Sequence, residues 1–271
     1  MNSYSNNNYL KNSIKIFAVK IDQIIESQQF DQLIKFLDKS ERTKIQGIKE
    51  ARDAQRSLFS RLLIRIALIQ LYGKTNEELV FKTNQYGKIY LKNFENVYFN
   101  TSHSDDWIVC CLDTNEIGID IERIRPINVN IAKRFFSHDE YKYIERTTGD
   151  EQIVSFFRIW TAKESYVKAK GMGLSLALNS FSIDVHDQIS KTYLLKDENW
   201  ECCQLNFDED YAMTICFSNV STITKRLGIY YLSLDMILDL ISKKLNINEV
   251  AISQVHKVSS WGILKSPDSD S

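Results

Sequence analysis

Asp120 and Glu122 stand one residue apart in Gly118-Ile119-Asp120-Ile121-Glu122. Farther along, Glu164 and Lys168 are spaced one helical turn apart in Trp160-Thr161-Ala162-Lys163-Glu164-Ser165-Tyr166-Val167-Lys168. Read as a strand, the first segment alternates. Ile117, Ile119 and Ile121 face a core, while Gly118, Asp120 and Glu122 face the other way. The two carboxylates then lie about 6–7 Å apart at Cα, and their flexible ends can converge on one ion. Gly118 is expected to leave room beside them for a ligand backbone or phosphate. Oxygen-only ligands select a hard cation, magnesium above all, and disfavour zinc. In a helix, Trp160, Glu164 and Lys168 fall at i, i+4 and i+8 on one stripe, with Lys163 at its border. Three carboxylates and two lysines of this kind can hold magnesium against a pyrophosphate and hand a proton to a phosphate leaving group. The ordinary alternatives are a solvated strand face and an exposed Glu–Lys pair. Trp160 in the stripe argues against the second, because a solvated face seldom carries a Trp.

Two halves of the chain must position these groups, and both show the same order of elements. In the first, Ser40 to Leu71 reads as a helix with Leu58, Leu62, Ile66 and Ile69 on one stripe and Gly73 placed to stop it. Strands are expected over 79–82, 88–91 and 97–100. A polar loop, Thr101-Ser102-His103-Ser104-Asp105-Asp106, leads to the apolar run Trp107–Leu112. The second half opens with the strand Ile117–Glu122. A helix start near Ile131 follows, then a longer helix from Glu151 to Lys170 ended by Gly171, with Thr148 and Glu151 as a capping box. Strands are expected at Ser180–Val185, Lys191–Leu195, Trp200–Asn206 and Tyr211–Phe217, the last two joined by the polar turn Phe207–Asp210. After Asn219 a helix over Leu232–Leu245 is expected to pack on the second half, ahead of a frayed tail. The fold class is therefore α+β, a pseudo-dimer of two similar lobes. The N-terminal lobe spans 1–114, the C-terminal lobe 115–220 and an extension 221–271.

Bulk properties narrow the function. Of 271 residues, 25% are charged and 44% apolar, so the chain is globular rather than disordered. A net charge of −1 gives no global case for nucleic-acid binding. Five cysteines with no C-x-x-C spacing read as buried free thiols in a reducing cytoplasm. Met1 to Lys15 is Asn-rich without an apolar core, and no run of 18 apolar residues occurs, which points away from secretion and membrane spanning. His103 sits among hydroxyls that suit a phosphate, although a lone loop His is more often a turn residue. Tyr86-Gly87-Lys88 is by itself a hairpin turn.

The residues resemble the 4′-phosphopantetheinyl transferases of the long, surfactin-synthetase type. The matching pieces run in order: Gln85-Tyr86-Gly87-Lys88, Phe99-Asn100-Thr101-Ser102-His103-Ser104, Ile117 to Arg123, Lys133-Arg134-Phe135-Phe136-Ser137 with Glu140, Trp160 to Ser165 with Lys168, and Gly171 to Ser175. The resemblance implies a two-lobed fold with its active site in the inter-lobe cleft. It also implies Mg²⁺-dependent transfer of the phosphopantetheine arm of coenzyme A to a serine of an apo acyl or peptidyl carrier protein, releasing adenosine 3′,5′-bisphosphate. By resemblance, Asp120, Glu122 and Glu164 hold Mg²⁺, and Lys168 stabilises or protonates the leaving phosphate. Glu140 is implied as general base, and Lys163 lies near the phosphates. Lys44, Arg56 and His103 contact the 3′-phosphate, while Tyr86, Gly87, Lys88 and Ser102 frame the adenine. A monomer with no nucleic-acid or membrane partner is expected.

Glu41 departs from the pattern, standing where the resemblance leads one to expect a basic residue near the 3′-phosphate. The segment after Asn219 has no clear counterpart. Two rival readings are a Mg²⁺-dependent nuclease and a non-catalytic carrier-protein binder. The first lacks a basic surface and leaves the Ser-His-Ser run and the Trp-bearing helix unexplained. The second leaves the intact set of three carboxylates and Lys168 without a purpose.

Overall fold

The computed structural model describes residues 13–184, 192–194, 199–218, 225–242 and 261–264. Its strands are β1 (Ser13–Lys20), β2 (Phe81–Thr83), β3 (Ile89–Leu91), β4 (Tyr98–Ser104), β5 (Trp107–Asp113), β6 (Ile117–Arg123), β7 (Thr192–Leu194), β8 (Trp200–Leu205), β9 (Tyr211–Ser218), β10 (Lys225–Leu232) and β11 (Trp261–Leu264). Its α-helices are α1 (Ser27–Leu33), α2 (Lys39–Gln46), α3 (Ala51–Tyr72), α4 (Ala132–Phe135), α5 (His138–Glu145), α6 (Gly149–Lys170) and α7 (Leu234–Ser242). One sheet has the order β11-β10-β1-β5-β4, the other β6-β9-β8-β7, and β2 pairs with β3.

Strand alternation sorts the apolar residues into layers. Phe17 and Val19 of β1, with Ile108, Cys110 and Leu112 of β5, pack against Leu58, Leu62, Ile66 and Ile69 of α3. Ile14, Ile16, Ala18, Val109 and Cys111 point the other way, onto Ile119, Ile121, Met213 and Ile215 of the second sheet. The far face of that sheet, through Cys202 and Cys216, meets Ala162, Tyr166 and Ala169 of α6. The result is four layers, helix–sheet–sheet–helix, with both sheets buried on both faces. Continuous apolar runs such as Trp107–Leu112 are what double burial requires. All five cysteines are free and buried in these layers.

Several expectations need correction. The single helix over Ser40–Leu71 is two, α2 and α3, separated at Gly47. Asp38 caps α2 by accepting from Ser40 N and Glu41 N, while Glu41 accepts back from Asp38 N. The capping box at Thr148 does not form; α6 begins at Gly149, whose φ of 62° supplies the turn. Gly73 and Gly171 do stop their helices in the left-handed conformation. Of the strand expected at Ser180–Val185, Ser180 ends a 3₁₀ turn, Leu178–Ser180, and only Ile183 forms an isolated bridge, while Val185, Lys191 and Leu195 lie outside the described residues.

The chain after Asn219 departs most. Lys225–Leu232 is a strand that inserts beside β1 in parallel, Ile14 opposite Leu227 and Ile16 opposite Ile229. The buried ion pair between Lys225 and Asp113 ties it to the end of β5. Helix α7 packs through Ile237, Leu240 and Ile241 into the α3 side of the first sheet, not onto the second half. Residues 243–245 of the expected helix lie outside the described residues.

Gly118 leaves no room for a ligand. A Cβ there would overlap the Ser165 carbonyl oxygen and crowd Ala169 N, both backbone atoms of α6. The glycine lets β6 approach the helix that carries Glu164 and Lys168. Gly118→Ala is therefore expected to lower stability by about 3 kcal/mol, since backbone on both sides must move apart. The denaturant midpoint of the purified variant measures it, and an unchanged midpoint would refute the close packing.

Candidate active site

Strand β4 is an edge of the first sheet and β6 an edge of the second. The outward N–H groups of β6 are taken by side chains of β4. Asn100 Oδ1 accepts from Ile119 N at 3.0 Å, Ser102 Oγ from Ile121 N at 3.3 Å and Ser104 Oγ from Arg123 N at 3.0 Å. The polar stretch read as a loop is thus strand through Ser104, and only Asp105 and Asp106 turn, with Asp105 at φ 47°. Its alternate residues, Thr101 and His103, line a cavity instead.

Each serine in this seam also donates. Ser102 Oγ reaches Asp120 Oδ1 at 2.9 Å and Ser104 Oγ reaches Glu122 Oε2 at 2.9 Å. From α6, Lys168 Nζ donates to Asp120 Oδ1 at 2.6 Å and to Ser102 Oγ at 2.9 Å. Asp120, Glu122, Glu164, Lys168, Trp160, Ser102, His103 and Lys44 all line one cavity of about 850 Å³. An adjoining cavity of about 850 Å³ shares Ile89, Thr101, Trp160, Glu164 and Lys168 and extends past Tyr86, Gly87 and Lys88.

The charges are not balanced. Desolvation, and then the Asp120 charge, push the carboxyls of Glu122 and Glu164 above their ordinary range. Asp120 is 3% exposed and its Oδ2 has no hydrogen-bond partner. Among the described residues no three acidic, thiol or imidazole groups stand close enough to form a ready-made metal cluster. The donor set nevertheless suits a hard cation, being all oxygen, desolvated, and supplied with one carboxylate oxygen that nothing else satisfies. Asp120, Glu122 and Glu164 are the residues that would hold it.

Other expected residues land differently. Lys44 and His103 line the same cavity as the carboxylates. Desolvation, then Lys168 and Arg56, push the His103 pKa down, so its imidazole is neutral near pH 7. Arg56 lines neither of these cavities. Its Nε donates to Asp105 O at 2.8 Å and it pairs with Asp53 at 3.0 Å, bracing the β4–β5 turn. The Lys88 ammonium is engaged by backbone, donating to Ala169 O at 2.6 Å and Ile117 O at 3.3 Å. Glu140 and Lys163 pair with each other at 2.8 Å, fully buried. Glu140 also accepts from Ser137 N and Ile183 N, and Lys163 donates to Phe181 O. With both carboxylate oxygens engaged and no access to either cavity, Glu140 is not placed to take a substrate proton.

Sequence reasoning missed Asn84, Asn100, Ser104, Ser57, Ser60 and Arg61. Asn84 Oδ1 accepts from Tyr86 N and Lys88 N while its amide donates to Gly171 O, pinning the hairpin to the end of α6. An Asn opening a turn with Gly three residues on is the signal that could have found it. Ser57, Ser60 and Arg61 fall on the cavity face of α3, a face visible only once the helix is placed.

Comparison with known proteins defines the class. Residues 25–115 match the family model described as 4′-phosphopantetheinyl transferase, N-terminal, and residues 116–216 that of the 4′-phosphopantetheinyl transferase superfamily. The 4′-phosphopantetheinyl transferase Sfp of Bacillus subtilis (strain 168) is 34% identical over 205 residues, covering 75% of this chain and 92% of that protein. The transferase gsp of Aneurinibacillus migulanus is 36% identical over 78% of this chain and 90% of its own length. HetI of Nostoc is 28% identical over 61% and 72%. The chain belongs to the 4′-phosphopantetheinyl transferase superfamily and is an enzyme of that transferase class.

The crowded carboxylates predict a pH dependence in protein stripped of divalent ions. An acid whose pKa is raised by folding binds its proton more tightly in the folded state. Stability is therefore lost as pH rises from the ordinary value through the raised one. Glu122→Gln and Glu164→Gln remove that penalty. Each is expected to be more stable than the parent at pH 8, with the gain shrinking toward pH 4. Urea denaturation across that range measures it, and a gain independent of pH would contradict the electrostatic cause.

Proposed function

We propose that the chain transfers the 4′-phosphopantetheine group of coenzyme A to a serine of an apo acyl or peptidyl carrier protein, with Mg²⁺, releasing adenosine 3′,5′-bisphosphate. The observation that carries this reading is the meeting of Asp120, Glu122, Glu164 and Lys168 on one cavity wall, in a chain whose relatives bear that transferase name. The site then lies in the cleft between an N-terminal lobe (1–114) and a C-terminal lobe (115–220). The described strands of the extension, β10 and β11, add to the first lobe's sheet.

The carrier serine oxygen attacks the phosphorus that bears pantetheine, and the bond from that phosphorus to the bridging oxygen breaks. Magnesium, when bound, supplies positive charge against the non-bridging oxygens. Lys168 is held at the bridge by Asp120 and Ser102, where its ammonium stabilises and protonates the departing phosphate. Glu164 lines the cavity, whereas Glu140 is buried against Lys163, so Glu164 is the better placed to accept the serine proton. The Glu140–Lys163 pair positions the start of α5 against α6 and the Phe181–Ile183 segment. Tyr86 and Gly87 lie on the coenzyme's side of the adjoining cavity.

The carrier docks at the cavity mouth. Ile127 and Ile131 are exposed in the segment that leads to α4, and Phe135, which lines the adjoining cavity, stacks edge-on against Trp160. The enzyme acts as a monomer in the cytoplasm, in keeping with five free thiols; among the described residues no helix is long and apolar enough to cross a membrane.

Mass spectrometry of several apo carriers incubated with coenzyme A and Mg²⁺ tests this. A gain of one phosphopantetheine is expected, lost with chelator or with Asp120→Ala, and slowed about a hundredfold or more by Lys168→Met. No gain with any carrier would overturn it. Separately, Ile127→Ser and Phe135→Ala are expected to raise the KM for carrier about tenfold while leaving that for coenzyme A within about twofold. Equal effects on both substrates would move the docking surface elsewhere.

A further inference from the structure

The hairpin between β2 and β3 is fastened to the end of the helix that carries Glu164 and Lys168. It is internally braced. Asn84 N donates to Lys88 O at 2.9 Å, and Asn84 Oδ1 accepts from Tyr86 N and Lys88 N, each at 2.9 Å. Two side chains then reach outward from it. Asn84 Nδ2 donates to Gly171 O at 2.9 Å, and the Lys88 ammonium donates to Ala169 O at 2.6 Å and Ile117 O at 3.3 Å. Ala169 lies in the last turn of α6, whose carbonyls lack partners within the helix and form the negative end of its dipole. An ammonium is a fitting partner there. The Lys88 stem lies on Gly171, where a Cβ would stand 2.7 Å from its Cδ. The glycine that stops α6 thus also makes the bed for this stem.

The two carbonyls that Lys88 holds flank the crossing of β6 with α6. Ile117 opens β6, three residues before Asp120, and Ala169 directly follows Lys168. Between them Gly118 lies against the backbone of Ser165 and Ala169. One ammonium therefore joins three elements: the strand of the carboxylates, the helix of Lys168, and the hairpin whose Tyr86 and Gly87 line the adjoining cavity. The contact set from this crossing is that of Lys168 Nζ with Asp120 Oδ1, at 2.6 Å. We propose that Lys88 is a positioning residue for the transfer step. By pinning the last turn of α6 to the first residue of β6, it sets the Lys168 ammonium against Asp120 and the leaving phosphate. This rests on the proposed transfer reaction and gives Lys88 a part in turnover, beyond framing the adenine.

Steady-state transfer to an apo carrier, read by mass spectrometry, tests this with a graded series. Lys88→Met keeps the stem and loses both hydrogen bonds. It is expected to lower kcat about tenfold while the KM for coenzyme A stays within about twofold. Lys88→Arg can reach both carbonyls and is expected to recover kcat to within about threefold of the parent. Lys88→Gln, with a single amide donor group, is expected to fall between them, and it carries the comparison if the Met variant does not fold. Calorimetric titration with adenosine 3′,5′-bisphosphate counts the binding-competent molecules, so that kcat is taken per competent molecule. Because the effect runs through Lys168, adding Lys88→Met to Lys168→Met is expected to cost less than about twofold more. A merely structural role would leave kcat per competent molecule unchanged. A role confined to the adenine would raise KM and weaken the bisphosphate instead. Either pattern, or full additivity with Lys168→Met, overturns the assignment. If the parent transfers phosphopantetheine and Lys88→Met matches its kcat, this inference alone fails. If the parent modifies no carrier, the functional reading fails with it.

Discussion

The structure depends on three polar side chains that close the open edge of one sheet with the edge of another. An edge strand exposes N–H groups that must be paired, covered or left to water. Here Asn100, Ser102 and Ser104 cover those of β6, and the same serine hydroxyls donate hydrogen bonds to Asp120 and Glu122. A hydroxyl can accept and donate at once, whereas a carboxylate only accepts. One row of serines therefore joins the halves of the molecule and orients both acids. Apolar residues at these positions would leave both the strand edge and the carboxylates unpaired.

Holding charge in this way costs stability. Glu122 and Glu164 sit near Asp120 in surroundings that disfavour their ionised forms, which the Lys168 charge offsets only in part, and Lys168 makes its ion pair with Asp120. The interior elsewhere is arranged differently. Asp113 with Lys225 and Glu140 with Lys163 are one-to-one pairs, with backbone N–H groups completing their carboxylates. Buried pairs of that kind are self-sufficient. An excess of acid over base, open to a cavity, marks the place where a cation completes the balance, and strained charges of this kind cluster at functional sites.

Much of this was legible in the chain. The period-two pattern over Ile117–Glu122 placed Asp120 and Glu122 opposite the isoleucines, and the i, i+4, i+8 spacing put Trp160, Glu164 and Lys168 on one face. What escaped was decided by distant partners. Asn100 to Ser104 looks like a loop because its polar face is satisfied by another sheet, which no local pattern records. β10 lies parallel to β1 from the far end of the described chain, and such pairing leaves no turn signature. Gly118 signals close approach, but not whether a ligand or a helix makes it.

The fate of the expected basic residues follows from helix geometry. Arg56 and Arg61 are five residues apart on α3, about 140° around its axis, so one helix cannot present both to the same cavity. Arg56 braces the turn after His103, and Arg61 faces the wall between α2 and α3. Sequence position alone gives both the same chemical promise, and only the packing of α3 against the first sheet decides between them. The same selection separates Glu164 from Glu140. Both carboxylates occur in segments that match the family, yet α6 turns Glu164 outward to the cavity, while the Ser137 cap and the Lys163 ammonium turn Glu140 inward. A motif fixes which residues are available, and the layer behind each one fixes which of them can touch a substrate.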